Sequence, residues 1–519
     1  MTTFNLVSQP WLPALPVTGG KAEYSLRELF EQAHTLRDLS AANPLTEAAL
    51  CRLLLAVLHR AYRGPTTGKA WQALWQMGQF DATIPAYLAA QAEHFDLFSV
   101  TRPFYQTAGF TTDGEPTPVS KLLHELACAT NKTLFDHTLD DQPPRLSPAE
   151  AARALITFQG YALGGGKSAA SQTFGAHPYF GNAPLNQGAL VFIKGENLFQ
   201  TLLLNAVYYD PTQPNRPIPR DFDREDLPVW ERDATRRKPG DYPQAGYLDY
   251  LTWMSRHVRL LPDPDGETVS WCYLAQGEKL PAAKEGQGPT VRDPFCAFRT
   301  NKDGLTFPIK LQEDKALWRD SGSLFAWKEE THASGTLRHA HEVAEYLDDL
   351  ELRCAVIGLA NDQANPLLWR QEVLPLSLAL LREGQVVAYI ERALEWCEEL
   401  GFLLREQVKA LAGEILTNGG RTPDAGQASK FAKNLGAEAR YWAELEPLFH
   451  RYLDEMPKAT DRDQRVRQWE KDTADIAINT FNKTTENALG YRARELRARV
   501  VVGDRFKAIV TNKLNKHQP

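Results

Sequence analysis

The sequence predicts an α+β chain: a large mixed N-terminal domain over residues 1–365, followed by a C-terminal antiparallel four-helix bundle over residues 366–519. Three observations lead there. Up to about position 365, short β-rich runs such as Ala189-Leu190-Val191-Phe192-Ile193-Lys194 alternate with helix-periodic stretches and Pro- or Gly-rich loops. Beyond Leu367 helix-periodic segments follow one another: Leu367 to Leu381, Val386 to Leu416, Ala428 to Glu455 and Arg462 to Leu489. Loop signals such as Asn418-Gly419-Gly420 and Met456-Pro457 separate them, and short connections between long helices imply antiparallel neighbours. Third, 43% hydrophobic and 24% charged residues over 519 positions allow a sizeable core.

In chain order, Phe4 to Val7 reads as a short strand leading through Gly19-Gly20 into a second extended piece. Ser25-Leu26-Arg27-Glu28 is a capping box, because the hydroxyl and the carboxylate three residues on satisfy the first free amides of a helix. From Thr46 to Tyr62, Leu50, Leu53, Leu54, Val57 and Leu58 recur at helical spacing and form a core stripe. Arg102-Pro103-Phe104-Tyr105-Gln106-Thr107 reads as a loop or edge segment. Ser147-Pro148-Ala149-Glu150 opens a capped helix, Ala189 to Lys194 is a strand, and Asn197 caps the helix carrying Leu198, Leu202 and Leu203. Seven prolines between 210 and 245 mark a long surface excursion, and His257 to Leu261 resumes strand character. Frequent Pro, Gly and Lys make Pro262 to Arg292 a loop, and Cys354 to Ile357 is a strand.

Several function classes are disfavoured by composition. A net charge of −7 argues against a protein that coats nucleic acid with its whole surface, so any DNA contact is local. One local excess lies between Arg492 and Lys516, with eight basic residues against Glu495 and Asp504. The six cysteines are too dispersed for zinc pairs or a disulfide scaffold, and no metal or other cofactor is expected. No apolar run approaches a membrane span and no signal segment opens the chain, which places it in the cytoplasm without a membrane partner.

The stretch richest in chemistry is Gly164-Gly165-Gly166-Lys167-Ser168. Residues without Cβ admit close approach to the backbone, with N–H groups left to donate. A Walker A loop would need glycine at 161, where Tyr161 stands, and a strand before it, where a helix is predicted. A nucleotide hydrolase built on Gly166-Lys167-Ser168 is therefore the weaker alternative; a surface linker, and a helical adaptor that binds only protein, are the others.

Taken together, the chain resembles CasA, the large subunit of the type I-E CRISPR surveillance complex Cascade. The resembling pieces are Asn5-Leu6 with Trp11-Leu12-Pro13, Pro103 to Thr107, Lys121-Leu122-Leu123 leading to Ala129-Thr130-Asn131, the triple glycine, Phe192 to Gly195 with Leu203-Leu204-Asn205, Trp253 with His257, and Asn361 to Ala364. Their order, followed by helices, carries the match. The resemblance implies a non-catalytic subunit that recognises the protospacer-adjacent motif in double-stranded DNA, helps open it for guide RNA pairing and recruits a helicase-nuclease. It implies a glycine loop at Gly164, Gly165 and Gly166 entering the minor groove, a lysine finger at Lys279 or Lys284, and a strand-separating wedge of Asp362, Gln363 and Ala364. It further implies a loop with Asn131, Phe135, Asp136 and His137 that docks on guide RNA and other Cascade subunits. Lys167, Arg494, Arg497 and Arg499 become candidate phosphate contacts.

Overall fold

In the computed structural model of the protein, the helix Pro44–Tyr62 is buried along nearly its whole length, from Leu45 to His59. Asn43 caps it by accepting from Thr46 N at 2.9 Å, Pro44 sits where no amide is needed, and Arg63 ends it in the left-handed region. The structure describes residues 3–126, 139, 141–166, 179–208, 226–232, 240–241, 246–281, 293–313, 315–325, 333–348, 350–362, 365–417, 425–488 and 492–517. They form two units, Met1–Leu317 with Ser323–Val373, and Trp318–Gly322 with Leu374–Pro519.

In the first unit the helix Pro148–Tyr161 packs on Pro44–Tyr62. Its predicted capping box is present: Ser147 N donates to Glu150 Oε2 at 2.9 Å, and Glu150 N to Ser147 Oγ at 3.3 Å. Among the described residues of this unit there are three small three-stranded sheets. One has Leu12–Pro16 between Ala22–Tyr24 and Leu36–Leu39; a second orders Asn365–Leu376, Leu352–Asp362, Leu190–Lys194; the third orders Thr117–Pro118, Val269–Gln276, Arg256–Pro262.

Two sequence expectations change here. Phe4 to Val7 is not a strand: Asn5 accepts from Val7 N through its side chain and from Ser8 N and Gln9 N through its carbonyl, which bends the chain into a turn before Leu12. The supposed loop 262–292 contains the strand Val269–Gln276, whose β-formers Val269, Trp271, Tyr273 and Leu274 outweigh the Pro and Gly around them.

The second unit is helical. Gly384–Leu416 runs against Ala437–Glu455, Arg462–Ala488 and Ala493–His517. Polar pins cross these apolar contacts: Trp396 Nε1 donates to Thr473 Oγ1 at 2.9 Å, Trp469 Nε1 to Ala393 O at 3.2 Å, and Tyr441 OH to Cys397 O at 3.0 Å. Leu367 to Leu381, expected as the first helix, is instead the strand Asn365–Leu376 followed by the short helix Leu378–Arg382. Pro375 would break a helix interior, and pairing with Leu352–Asp362 satisfies the backbone. Ala428 to Glu455 is likewise two helices, parted at Gly436 with φ of 68°. Among the described residues no helix is long and apolar enough to cross a membrane.

Candidate nucleic-acid interface

The helix Pro148–Tyr161 ends at Ala162, whose backbone leaves the helical region and runs into Leu163-Gly164-Gly165-Gly166. This segment pairs with Phe180 to Ala183 as a narrow ribbon. Ala183 N donates to Ala162 O at 2.8 Å, Gly165 N to Phe180 O at 3.0 Å, and Phe180 N to Gly166 O at 3.3 Å. Gly164 N donates to Asn182 Oδ1 at 2.7 Å. A Cβ on Gly164 would stand 2.8 Å from Asn182 N and 3.0 Å from the carbonyl carbon of Gly181, so bare backbone is a steric necessity there. Gly165 and Gly166 are exposed, with φ of 99° and 73° that side chains disfavour.

The glycine loop does not offer the open row of amides expected from the sequence. Because the chain doubles back at Phe180 to Asn182, the N–H groups of Gly164 and Gly165 are bonded inside the ribbon. The element leading into it is a helix, as the sequence indicated, so the strand that a Walker A loop requires does not precede it.

Lys279 reaches the ribbon from another part of the chain. It follows directly on the strand Val269–Gln276, in the two-residue strand Glu278–Lys279 that pairs in parallel with Gly240–Asp241. Its backbone is fixed: Gly277 N donates to Ser255 O at 3.0 Å, Glu278 N to Met254 O at 2.9 Å, and Trp253 Nε1 to Glu278 O at 3.2 Å. Its aliphatic stem lies along the ribbon, since a Cβ on Gly181 would meet Lys279 Cγ, Cδ and Cε at 3.1 to 3.2 Å. Two groups predicted separately from the sequence, the glycines and this lysine, therefore meet.

Beneath the ribbon sits Arg256, 1% exposed. One terminal nitrogen, Nη2, donates to Leu163 O at 3.0 Å and Gly181 O at 2.7 Å; the other donates to Ser255 O at 2.9 Å and, at 3.4 Å, to Gln276 Oε1. That Gln276 oxygen also accepts from Gly181 N at 2.7 Å. The guanidinium faces the rings of Phe180 and Phe158 at 4.9 and 5.9 Å. Burial lowers its pKa to about 9, which leaves it a cation at neutral pH.

Of the three wedge residues Asp362 is described, and it belongs to the same unit. Arg353 to Ile357 pair antiparallel with Lys194 to Leu190, and the strand then runs on through Gly358 to Asp362. At about 3.3 Å per residue those five residues extend roughly 17 Å past the partner strand, on the side from which residues 179–189 enter. Asp362 ends that strand; Gln363 and Ala364 lie outside the described residues. So do Lys167, Lys284 and the docking-loop residues Asn131, Phe135, Asp136 and His137.

Of the candidate phosphate contacts on Ala493–His517, Arg494 has a structural task. It donates to Glu414 O at 2.7 Å and to Thr417 O, capping the end of Gly384–Leu416. Arg497 is exposed and Arg499 half-buried. His257 is buried, bonded through Nδ1 to Thr107 Oγ1 at 2.8 Å, and lowered by burial to about 4, so it belongs to the neutral core. Among the described residues no group of three His, Cys, Asp or Glu side chains could hold a metal ion.

Sequence reasoning missed Arg256, Gln276 and Asn182. Arg256 begins the strand recognised from His257 onward, and Gln276 stands opposite it in the register; their signal was strand pairing, hidden while 262–292 was read as loop.

The family model for CRISPR-associated protein Cse1 matches residues 5–480. The chain belongs to the Cse1 family. It is 34% identical over 512 residues to the CRISPR-associated protein CasA/Cse1 of Thermus thermophilus, covering 95% of each. The crystal structure of Thermobifida fusca Cse1 superposes with a TM-score of 0.82 at 25% identity, covering 99% of this chain and 98% of that one. A chain of a CRISPR RNA-guided surveillance complex shares the Cse1 fold at a TM-score of 0.77 and 22% identity, covering 98% and 100%.

Proposed function

We propose that this Cse1-family chain is the non-catalytic, DNA-reading large subunit of a cytoplasmic, type I-E RNA-guided surveillance complex. It recognises the protospacer-adjacent motif of duplex DNA through the minor groove, helps separate the strands and recruits the helicase-nuclease. The observation that carries this reading is the meeting of the bare ribbon Gly164–Gly166 with the stem of Lys279 at Gly181. A thin strand pair whose glycine strand carries no side chains can enter a groove about 6 Å wide, and a flexible ammonium beside it can reach the acceptors that every base pair presents there. Base pairing with the guide reads the long sequence while protein reads a short flank.

Within this reading Gln363, between Asp362 and Ala364, is the wedge, and the loop with Asn131, Phe135, Asp136 and His137 docks on guide RNA and the other Cascade subunits. The helical unit from Leu374 on, which starts later than the expected 366, acts as an antiparallel four-helix bundle of Gly384–Leu416, Ala437–Glu455, Arg462–Ala488 and Ala493–His517, the last of these taking the place of the expected helix over Leu367 to Leu381. Arg497, Arg499 and Lys167 touch flanking phosphates.

The test is a titration of duplexes with permitted or scrambled flanks against complex assembled with and without this chain. Flank-dependent binding is expected only with it, and Lys279→Ala weakens that binding by about 1–3 kcal/mol. Unchanged affinity in the variant, or Lys167-dependent ATP turnover by the purified chain, defeats the reading.

A further inference from the structure

Three other arginines enclosed in this unit rest on carboxylates. Arg52 Nη1 lies 3.0 Å from both oxygens of Asp293, Arg60 pairs with Glu231 at 2.6 Å, and Arg232 pairs with Asp249. Arg256, equally enclosed, contacts no carboxylate among the described residues; its partners are three backbone carbonyls and one carboxamide. A buried charge without a counter-ion is costly to keep.

What Arg256 gains is geometric. Nη2 bridges Leu163 O on one strand of the ribbon and Gly181 O on the other, while Gln276 takes the Gly181 amide. On the exposed side Asn182 Oδ1 takes the Gly164 amide. The ribbon is thus held from below by a planar fork and laterally by one carboxamide, and the residue locked at Gly181 is the one against which Lys279 lies. Resting on the reading of ribbon and Lys279 as the flank reader, we infer that Arg256, with Asn182, is its positioning residue: the clamp sets the height of the glycine backbone relative to the lysine. A lysine at 256 keeps the charge but not the planar fork that spans both strands.

The test uses the assembled complex with guide RNA and two targets, an intact duplex with its flank and a single-stranded target that needs no flank reading. Arg256→Lys is expected to reduce discrimination between permitted and scrambled flanks about 10-fold and Asn182→Ala about 3-fold, both with wild-type affinity for the single strand. Lys279→Ala is run alongside. If it loses discrimination while both clamp variants keep theirs, the inference alone is overturned. If it too discriminates normally, the flank-reader reading falls and takes the inference with it. Equal losses on both targets mark a merely structural arginine and overturn the proposal. Should the Arg256→Lys chain fail to enter the complex, Asn182→Ala decides, because Asn182 is exposed and its substitution leaves the core untouched.

Discussion

Gly164→Ala isolates the ribbon's geometry from its chemistry. The added Cβ would stand 2.8 Å from Asn182 N, 3.0 Å from the Gly181 carbonyl carbon and 3.1 Å from Asn182 Oδ1, where ordinary contact begins near 3.4 Å. Two of these three atoms are backbone, so rotation of a side chain cannot relieve the clash, and the strands must part by about half an ångström. The Gly164 N to Asn182 Oδ1 bond is lost with that shift, a net effect of about 0.5–1.5 kcal/mol. Global stability falls by about that much, since the ribbon is at the surface. In the proposed reading flank-dependent affinity falls by about 1–2 kcal/mol, or roughly 5- to 30-fold, because the ribbon backbone moves relative to Lys279. Gly166→Ala is the comparison: among the described residues its Cβ meets no atom within 4 Å, and the φ of 73° is strained, at about 1–2 kcal/mol. The assay is competitive gel shift of flanked against scrambled duplexes, with thermal unfolding in parallel. A Gly164→Ala complex that keeps the wild-type ratio between the two duplexes refutes the role given to the ribbon.

Gln363→Ala is expected to slow strand opening on intact duplex, by losing an insertion that offsets part of a few kcal/mol of unstacking, yet to spare a target already mismatched beside the flank; equal loss on both, followed by stopped-flow fluorescence, removes the wedge. Glu47 is pushed up to about 7, chiefly by burial, which Lys194 partly opposes. Since its folded pKa lies above the unfolded value, Glu47 adds most stability below about pH 4.5 and loses that contribution as pH rises through 7. Glu47→Gln is therefore neutral near pH 4.5 and stabilising by about 1–2 kcal/mol at pH 8, and denaturant titration at the two pH values checks the sign. Asp293→Ala strands the Arg52 cation and the Tyr250 hydroxyl that donates to Asp293 at 2.9 Å; a loss of about 3–5 kcal/mol, seen as a Tm lower by roughly 10 °C, is expected.

Local rules made much of the first unit legible. Ser147 and Glu150 form the box their spacing announced, Asn197 caps its helix by accepting from Gln200 N, and the strand around Val191 is fully buried. Where pairing with a distant strand decides, the same rules failed: Leu367 to Leu376 has helical periodicity but lies beside Leu352–Asp362, and Val269 to Gln276 is a strand because Arg256–Pro262 lies opposite. At the candidate site the sequence named the glycines from their residues and Lys279 from a resemblance, and it had no means of naming what joins them. Arg256, Gln276 and Asn182 act through backbone carbonyls and amides of residues far along the chain, and such bonds leave no periodicity or motif.

The internal bonding of the ribbon also separates two kinds of glycine loop that look alike in sequence. A phosphate-binding loop keeps several successive amides unsatisfied and places them at the start of a helix, where their dipoles add. Here the glycines follow the end of a helix, the amides of Gly164 and Gly165 point back to Asn182 and Phe180, and the loop is a finished strand pair before any ligand arrives. Such an object is poor at gripping an anion and suited to fitting a narrow channel, because its exposed glycine strand is backbone thickness alone. The cationic contribution then has to come from beside the ribbon, and Lys279, whose stem is seated on Gly181 and whose backbone is tied to Met254 and Trp253, is placed to supply it. In the proposed reading the three glycines and the lysine act as one device, the first providing admission and the second attraction.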